Sequence, residues 1–201
     1  MADTPSPHLA IVHIAGLLNS LKRDYALVGG LAVSIRAEVR FTRDVDVAVA
    51  VDSDADAECL IYSLRAAGYE PVATVEHEEH HRLATARLAG PSGVVIDLMF
   101  ASCGIEAEIV ERAEFVELDE VGGMRVARPE ELLAMKILSM TDRRLQDRLD
   151  ARNLVTFNPK LDLEAVRDHL ERITARGYQR GQDLSEKLAR LLAELRDEGD
   201  D

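Results

Sequence analysis

The chain predicts an α+β fold, in which a mixed sheet with flanking helices is followed by a helical half. Two observations carry this expectation. Up to about residue 127, apolar runs of strand length alternate with helical segments and turn clusters. From Pro129 onward no strand-like run remains, and apolar residues recur at helical spacing. The expected boundary separates residues 1–127 from residues 128–201.

The elements follow in order. Residues 1–6 read as a disordered start, and Leu9, Val12, Leu17 and Leu21 roughly follow helical spacing. Tyr25–Val28 reads as the first strand, ending in Gly29-Gly30. Leu31–Ala37 reads as a short helix and Val45–Val51 as the second strand. Asp52-Ser53-Asp54 offers an N-cap for a helix ending near Gly68, a residue suited to the position just past a helix end. Pro71–Val75 and Leu83–Leu88 read as strands, and Gly90-Pro91-Ser92-Gly93 turns the latter into a hairpin with Val94–Phe100. A helix at Ile105–Ala113 and small strands at Phe115–Leu118 and Met124–Val126 complete the first half. Pro129 suits the first turn of a helix, here Glu130–Met140. Asp142–Leu154, Asp162–Ala175 and Asp183–Leu195 read as further helices, with Pro159 breaking the second from the third.

The chemistry concentrates where the second strand opens. Residues two apart in a strand share a face, so Asp44 and Asp46 project together while Val45, Val47, Val49 and Val51 point the other way. Two carboxylates aimed at one spot repel unless a cation lies between them. Hard oxygen ligands favour magnesium or manganese. A glycine turn at a helix start can also cradle phosphate, because free backbone N–H groups and the helix dipole attract anions. Asp97 lies within the apolar run VVIDLMF, where a charge is costly unless paired or metal-bound. Phosphate cradle plus carboxylates points to metal–nucleotide chemistry.

Composition narrows the setting. The net charge of −13 counts against broad nucleic-acid binding, and no DNA partner is expected, though a local basic patch is compatible with it. The acidic runs at Asp52–Asp54, Glu76–Glu79, Glu106–Glu120 and Asp197–Asp201 read as solvated surface. Two cysteines, Cys59 and Cys103, lack metal-type spacing, which points to a reducing compartment. The run Leu9–Leu18 is too short to span a bilayer and no charged segment precedes it, so a cytoplasmic protein with no membrane partner is expected.

Gly29-Gly30, thirteen residues, then Asp44-x-Asp46 resembles the signature of the DNA polymerase β-type nucleotidyltransferase superfamily. The surrounding VGG-x-AV, with Arg40-x-Thr42-x-Asp44-x-Asp46, is similar more narrowly to the AbiEii/AbiGii abortive-infection toxins and the related MenT toxins. The helical half adds Pro129-Glu130-Glu131-Leu132-Leu133-Ala134-Met135-Lys136, then Arg144-x-x-Asp147-x-x-Asp150, which resembles that family's helix lysine followed by an Arg-x-Lys-Asp-x-x-Asp segment.

The resemblance implies a polymerase β-type catalytic domain over residues 1–127 and a helical domain completing the nucleotide site. It implies a magnesium- or manganese-dependent enzyme moving a nucleoside monophosphate from an NTP to an acceptor hydroxyl. Asp44, Asp46 and Asp97 would hold the metal. Gly29, Gly30, Ser34, Arg40, Arg43, Lys136, Asp147 and Asp150 would serve the nucleotide, with Lys136 also counted as catalytic. It further implies an RNA acceptor, the 3′ end of tRNA foremost, and a cognate antitoxin.

Two departures stand out. Leu31 follows the glycine pair where many superfamily members carry serine; Ser34, one helical turn on, is the candidate hydroxyl, and a helix-surface serine is its plainer reading. Gln146 stands where the family usually has lysine.

Plainer readings stand beside these. Lys136 could be a snorkelling lysine on an amphipathic helix, and Asp147 and Asp150, three apart on one helix face, could pair with Arg143, Arg144 and Arg148. Rival acceptors are a small molecule such as an aminoglycoside or a protein hydroxyl, and a non-catalytic nucleotide-binding module is the rival of another class. His77-Glu78-Glu79-His80-His81 satisfies H-E-x-x-H, which needs a helix to bind zinc. Its flanks read as strands, so an exposed hairpin loop is expected. Ala84 and Arg87 stand where the extended form of that motif needs glycine and histidine.

Overall fold

A computed structural model describes residues 7–118 and 122–199. The expected disordered start at residues 1–6 lies outside the described residues, as do parts of two acidic runs, at 119–120 and 200–201. The chain forms two compact units. A sheet unit takes in the chain to Ala32, Arg40–Ser102 and Glu106–Ala127. A helical unit takes in Val33–Val39, Cys103–Ile105 and the chain from Arg128.

The sheet unit contains one seven-stranded mixed sheet. Its strands are β1 (Tyr25–Val28), β2 (Val45–Val49), β3 (Glu70–His77), β4 (Arg82–Ala89), β5 (Val95–Met99), β6 (Glu114–Leu118) and β7 (Gly122–Val126), in the order β3-β4-β5-β2-β1-β7-β6. β2 runs antiparallel to β1 and parallel to β5. The hairpin β4–β5 closes about the Gly90–Gly93 turn, where Gly90 N–H donates to the Val94 carbonyl at 2.9 Å. β2 is expected to reach Val51 but ends at Val49, because Ala50 N–H turns to the carbonyl of Asp24.

Helices α1 (Pro7–Ser20), α3 (Asp54–Ala66) and α4 (Glu106–Arg112) pack on this sheet, α1 against β2 and β7, α3 against β3 and β4, and α4 against β1 and β2. Their burial explains why β1 and β2 read as nearly unbroken apolar runs: Tyr25–Val28, Val45, Val47, Ala48 and Val49 are all buried. α3 starts where its cap residues place it, since Ser53 Oγ accepts from Asp56 N–H. It ends with Gly68 at φ +89°, while Gly68 and Tyr69 N–H bond back to Arg65 and Leu64.

α2 (Gly29–Arg36) begins in the sheet unit and continues into the helical unit. The helical unit otherwise holds α5 (Pro129–Ser139), α6 (Leu145–Phe157), α7 (Leu163–Ala175) and α8 (Leu184–Gly199). Pro129 occupies the first turn of α5 as expected. α5 packs on α6, α7 and α8 and is buried almost throughout, with Leu132, Leu133, Ala134, Ile137 and Leu138 as its core. α6 starts three residues later than expected. Arg144 N–H bonds the Thr141 carbonyl in a turn, and the helix opens only at Leu145. Among the described residues no helix is long and apolar enough to cross a membrane.

His77 ends β3, and Glu78–His81 form the turn into β4, with His81 at φ +48°. The H-E-x-x-H sequence is therefore on a hairpin, not the helix that a zinc protease requires. The His77 and His80 rings lie 4.6 Å apart.

Candidate active site

The sheet unit brings three of the expected carboxylates to neighbouring positions. Asp44 precedes β2, Asp46 lies within it, and the parallel register sets Asp46 directly opposite Asp97 on β5. The two-residue period turns Asp46 away from the buried Val45 and Val47. All three carboxylates are half-buried.

Both glycines before β2 earn their place by lacking a side chain. Gly29 has φ +64°, and a Cβ there would overlap the Asp46 carboxylate. A Cβ on Gly30 would stand 2.5 Å from the Arg40 guanidinium. The glycine pair thus lets Asp46 and Arg40 close onto the start of α2. Arg40 also donates to the Phe41 carbonyl at 3.3 Å. Arg43 lies over the ring of Phe41, 5.8 Å from its centroid, and that ring is 80% exposed.

Sequence reasoning missed one residue, naming Arg87 only to set a zinc motif aside. Arg87 on β4 is the hairpin partner of Asp97. Its Nε and Nη2 donate to the two Asp97 carboxylate oxygens at 2.8 and 2.7 Å. Nη2 also lies 4.0 Å from Asp44 Oδ2. The Asp97 hydrogen bond, then the charges of Asp97, Asp44 and Asp46, raise the Arg87 pKa above its ordinary value despite some desolvation. The signal was present, because a turn at Gly90–Gly93 pairs 89 with 95 and hence 87 with 97.

The donor set suits magnesium or manganese: carboxylate oxygens, gathered beside a glycine that leaves room for one of them. Yet among the described residues no three His, Cys, Asp or Glu side chains converge closely enough to hold a metal ion. A guanidinium, not a carboxylate cage, currently meets Asp97 and approaches Asp44.

The other expected residues belong to the helical unit. Ser34 is half-buried on α2. Lys136 on α5 is no snorkelling lysine. It is 8% exposed, and its Nζ lies 2.8 Å from both Asp147 Oδ1 and Asp150 Oδ2 of α6. Arg144 Nε meets Asp147 Oδ2 at 2.7 Å, and Gln146 donates to Asp150 Oδ1 at 2.9 Å. Gln146, where the resemblance leads one to expect lysine, thus serves one of the carboxylates that pin Lys136.

Residues 15–200 match the family described as "Nucleotidyl transferase AbiEii toxin, Type IV TA system". The chain belongs to this family and is a nucleotidyltransferase. No curated protein matches it in sequence. Among solved structures it is similar to an antigenic nucleotidyltransferase-like protein from Paracoccidioides brasiliensis, with 21% identity, TM-score 0.51, and coverage of 90% of this chain and 91% of that one. It is also similar to the antibiotic-resistance factor ANT(2″)-Ia, with 14% identity, TM-score 0.53, and coverage of 86% and 94%. A structure of ANT(2″)-Ia in complex with adenylyl-2″-tobramycin gives 13% identity, TM-score 0.52, and coverage of 85% and 99%. These likenesses show a nucleotidyltransferase fold.

Proposed function

We propose that this AbiEii-family chain transfers a nucleoside monophosphate from an NTP to an RNA hydroxyl, the 3′ end of tRNA foremost, at the edge formed by Asp44, Asp46 and Asp97. The acceptor oxygen attacks the α-phosphorus, the bond to the β-phosphate oxygen breaks, and pyrophosphate leaves. Asp44, Asp46 and Asp97 would hold Mg2+ or Mn2+, which when bound neutralises phosphate charge and polarises the reacting oxygens. Asp97 helps draw the proton from the acceptor hydroxyl. Gly29 and Gly30 keep the start of α2 open to the phosphates, with Ser34, Arg40 and Arg43 as further nucleotide contacts.

One observation carries the reading most: the parallel pairing that sets Asp46 opposite Asp97, with Gly29 leaving space for the Asp46 carboxylate. Arg40, exposed Phe41 and Arg43, immediately before Asp44, support an RNA end. They offer positive charge and a stacking ring in a chain that is otherwise acidic. The resemblance gives Lys136 to the nucleotide phosphates, with Asp147 and Asp150 orienting it. Its ammonium lies 2.8 Å from both carboxylates, which supports the orienting part of that role. Free Cys59 and Cys103 support a reducing, cytoplasmic setting, and the family's toxin–antitoxin context supports a cognate antitoxin.

The test offers each labelled NTP with Mg2+ or Mn2+ to total RNA, to aminoglycosides and to mixed protein. Label at RNA 3′ ends, lost in Asp46→Asn, is expected. Label only in the small molecule or the protein would overturn the acceptor. Nucleotide binding without pyrophosphate release would overturn transfer itself.

A further inference from the structure

The carboxylate edge already contains a cation of the protein's own. Arg87 takes both oxygens of Asp97 in a two-pronged fork and stands within ion-pair reach of Asp44. Asp97 is only 13% exposed in its side chain, while Arg87 is 48% exposed. The carboxylate is thus held in place on its strand, whereas the guanidinium has an open side and a path away. A planar guanidinium matches a carboxylate bidentately and uses the in-plane lone pairs that a metal would need. Two cations cannot share the same oxygens at bonding distance without strong repulsion.

We infer that Arg87 is a positioning residue that acts as a built-in counter-ion: it holds Asp97 while no metal is bound, and it must release Asp97 before a divalent cation can bind. This rests on the nucleotidyltransferase reading above. Arg87 therefore keeps metal affinity low in the nucleotide-free protein. A triphosphate, itself a bidentate oxyanion, draws the guanidinium off, so metal and nucleotide load together. The other arginine of β4, Arg82, pairs with Asp54 through Nε at 2.8 Å, which leaves this work to Arg87.

Mn2+ binding followed by electron paramagnetic resonance tests the inference without turnover. In wild type, Mn2+ should bind weakly alone and at least tenfold more tightly with a non-hydrolysable NTP analogue. Arg87→Gln should bind Mn2+ alone at least threefold more tightly than wild type and gain less from the analogue. Arg87→Lys, which keeps the charge but loses the fork, should fall between them and serves as the reading if Arg87→Gln does not fold. Equal or weaker nucleotide-free Mn2+ binding in Arg87→Gln, or in Arg87→Lys as its substitute, would overturn the inference. Asp46→Asn separates the two levels: if it leaves Mn2+ binding unchanged, or if no variant binds Mn2+ under any condition, the metal reading fails and this inference with it.

Discussion

The two units solve the same electrostatic problem in opposite ways. In the sheet unit Arg87 joins Asp97 and approaches Asp44 with its guanidinium half-exposed. In the helical unit Lys136 joins Asp147 and Asp150 with all three groups buried. A pair whose cation stands half in water is partly screened and contributes less to stability than an enclosed one. A buried pair is costly to break, because the carboxylates left behind are uncompensated. The first arrangement can exchange its cation and the second cannot, so the sheet unit's cluster is suited to ligand exchange and the helical unit's to holding a charge still.

That contrast can be broken from either side. The largest expected effect is on stability: Lys136→Ala should destabilise the protein by about 3–5 kcal/mol, as for other buried pairs that lose one partner. A snorkelling lysine would be removable without harm to the fold; the burial of Lys136 reverses that. Denaturant unfolding checks it, and a loss below about 1 kcal/mol would mean the cluster is wetter than its burial implies.

Asp46→Asn comes next and acts on activity. Asp46 would help hold the metal that neutralises the transferring phosphate, and losing one such electrostatic contribution costs about 2.7–4 kcal/mol of barrier. Transfer should therefore fall 10²–10³-fold, with a cooperative melting transition showing that the variant still folds. Full transfer by this variant at limiting Mg2+ would remove Asp46 from the site.

Gly29→Ala should be smaller but should touch both properties. The backbone at φ +64° disfavours alanine by more than about 1 kcal/mol, and the new Cβ displaces the Asp46 carboxylate. A loss of transfer of about tenfold, with a lowered melting temperature, is expected. An unchanged protein would show that Gly29 has other reasons to be glycine.

Arg87→Gln should move stability least among the charged positions, by less than about 1 kcal/mol in the metal-free protein. A loss as large as that of Lys136→Ala would erase the contrast between the units. Replacing His77, His80 and His81 together by alanine should leave transfer within a few-fold, because they lie on and beside a hairpin turn. Zinc retained through dialysis with chelator-sensitive proteolysis would reverse that.

Much of this was local and therefore readable. The Ser53 cap, Gly68, Pro129 and the Gly90–Gly93 turn act on their own neighbours, so each marks an element boundary without knowledge of the rest. The shared face of Asp44 and Asp46 follows from the strand period alone. The pairing of Arg87 with Asp97 was also within reach, since hairpin register follows from the turn. In the sequence alone, though, an arginine in an alternating strand looks like solvent-facing surface.

What the chain by itself determined, then, is the type of each element and the direction its polar residues face, because backbone sterics and side-chain period operate over a few residues. Only the tertiary structure decided which faces meet. Asp97 lies beside Asp46 because β5 pairs parallel to β2 across some fifty residues of intervening chain, and no local pattern names a parallel partner. Lys136 is buried rather than snorkelling because α6 lays two carboxylates against α5. Whether a charge faces water or another charge depends on packing between distant segments, whose free energy is not carried by any one of them.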